Sequence, residues 1–156
     1  MTTDICDECG GRIEGGREGC LVQFRQYTAR DFSGALFFRT HRLSVDCYAL
    51  QHPEQFCVSA KSLAAHLGGL CAILEYGASP ATGSPGLHTW LSDNGTRLSK
   101  PQLPANKGAL TLADLPGTDD AAVWEKALRK WAQEVWAAYE PLQPLARQWV
   151  EAAKGK

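Results

Sequence analysis

The alternation of apolar and polar positions along the chain predicts helices almost throughout. From Cys20, the residues Leu21, Phe24, Thr28 and Phe32 recur at helical spacing, while Gln23, Arg25 and Arg30 fall on other faces. Asp31, Ser33 and Gly34 supply a stop, and a second helix is expected from Ala35 or Leu36. In its later part, His41, Val45, Tyr48 and His52 share one face at ~100° per residue. Pro53 cannot continue that helix and biases the preceding residue away from helical geometry, so His52 is expected where the chain leaves it. A connection this short makes the first two helices antiparallel neighbours. Ser59 is a good N-cap for a third helix, whose buried stripe is Leu63, Leu67, Leu70, Cys71 and Leu74 and which ends near Tyr76 and Gly77.

Between residues 78 and 118 the pattern changes: Pro80, Pro85, Pro101, Pro104 and Pro116 are spread among Gly, Ser, Thr and Asn. A long irregular segment is expected here, either an ordered cover over a functional pocket or a flexible connection. Its apolar residues, including those of His88-Thr89-Trp90-Leu91, favour packing over the bundle. Asp119 and Asp120 are capping candidates for a last helix with Trp124, Leu128, Trp131, Val135 and Tyr139 at helical spacing. Pro141 and Pro144 should kink or break that helix before Leu145 and Trp149, and Trp136, on another face, is free for a partner. Cys6-Asp7-Glu8-Cys9-Gly10 at the start has the spacing of a zinc knuckle, so the expected fold is mainly α, a four-helix bundle-like domain with an N-terminal zinc knuckle and a long irregular Pro/Gly-rich segment. One domain spans 1–156: knuckle and linker over 1–19, a three-helix portion over 20–77, the irregular covering segment over 78–118 and a kinked C-terminal helix over 119–154.

Composition alters this picture little. Hydrophobic residues make up 44% and charged residues 21% of 156, ordinary globular values. No apolar run approaches a membrane span. A net charge of −1 gives no global positive field to gather nucleic acid. The opening Met1-Thr2-Thr3-Asp4-Ile5-Cys6 lacks the pattern of a secretory signal, so a cytoplasmic location is expected. Six cysteines in that setting point to metal or free thiols before disulfides.

The chemistry concentrates in those cysteines. Cys6 and Cys9, two residues apart and followed by Gly10 and Gly11, can place both sulfurs ~2.3 Å from one zinc ion, the glycine allowing a tight turn with its N–H aimed at a thiolate. The redox reading of this motif needs an adjacent strand, which the first 20 residues lack, so zinc is favoured. A closed site needs four ligands. If the first helix runs away from Cys20 and the second returns over a similar length, Cys20 and His52 lie at the same end. His41 lies ~16 Å from His52 along a helix, too far to share an ion. The expected ligands are Cys6, Cys9, Cys20 and His52, a set whose donor types admit iron as well as zinc. Cys47, Cys57 and Cys71 read as small core residues.

Cys6-Asp7-Glu8-Cys9-Gly10, Cys20, the stretch from His41 to Gln51-His52-Pro53, and Ser62-Leu63-Ala64-Ala65-His66-Leu67 together resemble an uncharacterised bacterial family, a domain of unknown function. The likeness covers roughly residues 5 to 75 and extends weakly to the tryptophan-rich last helix, with Gln51-His52-Pro53 its most specific part. It implies a shared arrangement of Cys6, Cys9, Cys20, His41, His52 and His66. Family members often carry proline after the first knuckle cysteine, where this chain has Asp7; the ligands are kept and the turn is less rigid.

Three functions remain in view. The first is an accessory or binding protein held together by structural zinc, its partner a protein or a small molecule. The second is an enzyme. Its catalytic candidates are His41, Tyr48 and His66 in a pocket with Asp46, His66 approaching His41 or Tyr48 across the bundle, or a reactive thiol at Cys20 or Cys47, the former lowered in pKa by a helix N-terminus. The bland reading of His66 is a histidine hydrogen-bonded between helices. No Ser-His-Asp arrangement, phosphate-binding glycine loop or His-Glu-x-x-His motif is present. Nucleic-acid recognition through the knuckle comes third, because Asp4, Asp7, Glu8 and Glu14 outnumber Arg12 and Arg17 around it.

Overall fold

A computed structural model describes residues 4–155. Among them are eight α-helices and no strand: α1 (Gly16–Ser33), α2 (Ala35–Phe38), α3 (His41–Gln51), α4 (Pro53–Phe56), α5 (Ala60–Glu75), α6 (Pro85–Ser92), α7 (Ala121–Ala138) and α8 (Gln143–Ala153). Helix α3 is central and packs against both α5 and α7; α5 in turn supports α6 and α8. The apolar stripes predict this arrangement well. Leu63, Leu67, Leu70 and Cys71 of α5 and Leu128, Trp131, Val135 and Tyr139 of the α7 region are fully buried in one core. No helix among the described residues is long and apolar enough to cross a membrane.

Capping chemistry sets the boundaries. Ser59 and Ser62 form a reciprocal capping box at the start of α5, each hydroxyl accepting the other's backbone N–H at 3.0 Å. Asp120 accepts from Ala122 and Val123 N–H at the start of α7.

Three expectations need correction. The second helix does not run unbroken from residue 35: the chain leaves helical geometry at Thr40 (φ −122°, ψ 17°) and restarts at His41, whose ring is thereby held 2.9 Å from Asp31. The segment 78–118 is less irregular than its prolines imply, because Pro85 occupies the first turn of α6 behind a Ser84 cap, where its missing N–H costs nothing. Trp136 is buried rather than free for a partner, with the Arg147 guanidinium 5.9 Å from its ring. As expected, Pro141 interrupts the final helical stretch, and α8 begins at Gln143.

Candidate metal centre

Residues 4–13 form a tight hairpin. Ile5 and Arg12 pair as an isolated bridge, Cys6 N–H donates to the Gly11 carbonyl and Gly10 N–H to the Cys6 carbonyl. Gly10 has φ +79°, a conformation nearly reserved for glycine, and it turns the next N–H, that of Gly11, onto Cys9 Sγ at 3.3 Å. A Cβ on Gly11 would lie 2.6 Å from Thr111 Oγ1 and 3.3 Å from Cys9 Sγ, so no larger residue fits under the covering segment. The knuckle is docked by Glu8, buried despite its charge. Its carboxylate accepts from Glu54 N–H at 3.0 Å and Gln55 Nε2 at 2.7 Å, capping α4.

Against this hairpin α1 brings Cys20 and the end of α3 brings His52, as antiparallel packing requires. The Cys6 Sγ to His52 Nε2 distance is 3.5 Å, Cys20 Sγ to His52 Nε2 is 3.4 Å and Cys9 Sγ to Cys20 Sγ is 3.9 Å. All four ligand atoms lie within 4.8 Å of one another. Bonds of ~2.3 Å to sulfur and ~2.0 Å to nitrogen around a tetrahedral centre put neighbouring ligands about 3.5–3.8 Å apart, so the cluster has the dimensions of a coordination sphere.

The protonation pattern fits as well. His52 Nδ1 lies 2.8 Å from the Tyr48 carbonyl, which can only accept; Nδ1 therefore carries the proton and the Nε2 lone pair faces the sulfurs. Beneath the imidazole, the Tyr48 ring stacks on His52 at 3.8 Å and on Phe24 at 3.9 Å. The buried Tyr48 hydroxyl has no hydrogen-bond partner, while Cys20 is the thiol that most raises its pKa after burial itself. A Cys20 thiolate neutralised by a cation would give that O–H an acceptor.

The thiols' electrostatics show what a cation would supply here. The Cys9 thiol is pulled down to about 4, chiefly by the hydrogen bond from Cys20 and against the effect of burial, with the Gly11 N–H assisting. Cys20 is correspondingly raised, by that hydrogen bond first and burial second, and burial raises Cys6. The protein alone thus holds one thiolate readily, and a second or third needs positive charge among the sulfurs. This corrects the expectation of a lowered Cys20: it lies in the second turn of α1, buried, as the donor to Cys9.

The structure distributes the remaining candidates over separate places. His41 pairs with buried Asp31 and stacks on Phe38. His66 Nδ1 lies 3.0 Å from Asp46 Oδ1, so neither histidine meets the other, and Tyr48 belongs to the cysteine cluster. Cys47 is fully buried and its thiol is raised well above the ordinary value by burial. Cys47, Cys57 and Cys71 are all buried and free.

A family model matches residues 4–140, described as a family of unknown function, DUF5946. The chain belongs to the DUF5946 family. No curated protein and no solved structure matches it. In this DUF5946 chain the matched region holds all four cluster residues and also Gln51, whose role the sequence did not disclose. Gln51, fully buried, donates through Nε2 to the Lys107 and Leu110 carbonyls and accepts from Trp131 Nε1–H at 3.0 Å. In Gln51-His52-Pro53, then, Gln51 fastens the covering segment, His52 completes the cluster and Pro53 begins α4.

Proposed function

We propose that this protein is a cytoplasmic accessory or binding protein whose structure is completed by one zinc ion on Cys6, Cys9, Cys20 and His52. The observation that carries this reading is the convergence of three sulfurs and one correctly protonated imidazole at coordination spacing. Three thiolates and a neutral imidazole saturate zinc and leave no position for substrate water, so the metal is structural. It ties the N-terminal hairpin and α1 to the end of α3, adding to the Phe24–Tyr48 stack between α1 and α3 and to the polar contacts that Glu8 and Arg17 make with α4. Six free thiols suit a reducing compartment.

Cobalt substitution tests the closed site. Co(II) in place of the native metal should give the intense visible bands of tetrahedral thiolate coordination, unchanged by added azide. Bands that shift with azide would reveal an open coordination position and contradict a purely structural role.

A further inference from the structure

A second group of charges lies on α3, apart from the Cys6, Cys9, Cys20 and His52 cluster. Asp46 is fully buried and its carboxylate is shared: Arg42 Nη2 lies 2.8 Å from Oδ1, Arg42 Nε donates to Oδ2 at 3.3 Å, and His66 Nδ1 lies 3.0 Å from Oδ1. Gly69 makes room for it, since a Cβ there would lie 2.7 Å from Asp46 Oδ2. Arg42 Nη2 also donates to the Ala65 carbonyl at 3.3 Å, and the Arg42 side chain runs over Gly83, where an added Cβ would lie 3.2 Å from Cγ. The guanidinium is therefore fixed through Nε and Nη2. Among the described residues nothing accepts from Nη1.

Arg42 forms part of the wall of a cavity of about 350 Å³ between α5, α6 and the turn before α6. This is within the size range of small-molecule sites. Ala65, Leu87 and Leu91 give it apolar walls, while Ser84 and His88 add polar groups. No carboxylate lines it, because Asp46 lies behind Arg42 and Gly69 with no exposure. Ser84 caps α6 beside the cavity, so the positive end of that helix adds to the field.

We infer that this cavity binds a small organic monocarboxylate with an apolar body, its carboxylate on Arg42 Nη1 and its body between Ala65, Leu87 and Leu91. A buried carboxylate that immobilises an arginine at the edge of a cavity orders that donor before any ligand arrives, which reduces the entropy lost on binding. Asp46 already offsets one positive charge, which favours a monoanion over a phosphate dianion. The apolar walls favour an amphiphilic ligand over an inorganic ion. This site shares no residue with the cysteine cluster and stands independently of the metal.

The test is an amide-shift NMR titration of the full chain carrying its native metal, with 3-phenylpropionate as probe and 3-phenylpropanol and inorganic phosphate as comparators. 3-Phenylpropionate should bind at millimolar concentration or better, shift the amides of Ala65, Gly69, Leu87 and His88, and bind at least about 10-fold more tightly than either comparator. Arg42→Lys, which keeps the charge and loses the fixed fork, should weaken it about 10-fold. Ala65→Leu fills the cavity without touching Asp46 and should abolish binding while the spectrum stays folded. Equal affinity for the alcohol, tighter binding of phosphate, shifts that map elsewhere, or no binding by the folded wild type would each overturn the inference.

Discussion

Helix α3 holds two buried polar clusters, and they are satisfied in opposite ways. At its middle, Asp46 brings a negative charge into the interior and the chain supplies the compensation, Arg42 and His66. At its C-terminal end, three thiols and an imidazole lone pair face one another, and among the described residues no side-chain cation pairs with them. Ionised groups buried without partners are too costly to persist, so the charge of the first cluster is balanced within the chain, whereas the second could hold a metal ion. Burial and residue type alone would have classed them together; the difference lies in which donors the fold directs at each.

Four perturbations break or sharpen this contrast. The largest effect is expected from removing metal from the cysteine end, by chelation at neutral pH or by Cys6→Ser. With free zinc ~1,000-fold above its dissociation constant, linkage alone puts the loss at ~4 kcal/mol, read as a fall in the chemical-denaturation midpoint that added zinc reverses only in the wild type. Asp46→Ala should cost ~3–4 kcal/mol by leaving Arg42 and His66 without their shared acceptor, and chelation should lower its stability by as much as it lowers the wild type's. Gly11→Ala should cost about 1–3 kcal/mol, because its Cβ meets Thr111 Oγ1 at 2.6 Å, and should also weaken metal affinity through Cys9.

The smallest effect concerns Asp31, a third buried carboxylate, whose pKa is raised by burial against the opposing influence of His41 and Arg30. The folded state therefore holds that proton more tightly than the unfolded chain. Stability from this residue is present below the unfolded carboxylate pKa of ~4 and is lost as pH rises through the raised folded value. Urea unfolding of metal-free Asp31→Asn and wild type across this range should show the variant gaining relative stability with increasing pH. Asp46, also raised by burial, keeps part of the slope in both proteins.

The metal-site candidates were largely legible because they depend on local rules. Cys6 and Cys9 follow from spacing, Gly10 and Gly11 from the turn, and His52 from its place before Pro53 at the end of an amphipathic run. Antiparallel packing was then enough to bring Cys20 to the same end. What escaped notice depends on tertiary direction. Asp46 and Arg42 form an i,i+4 pair visible in the sequence, but only the packing of α5 with its two glycines decides that the pair is buried and joined by His66. Gln51 has no local signature, since its three partners come from residues 107–131. Pro85 misled because proline breaks a helix interior and favours a helix start, and only the Ser84 cap separates the two.

Metal content per chain, measured on purified wild type, His52→Ala and His41→Ala, tests the central claim most directly. The account predicts one zinc per chain in the wild type and in His41→Ala, and loss of metal in His52→Ala. Two metals per chain, or metal kept by His52→Ala and lost from His41→Ala, would contradict it.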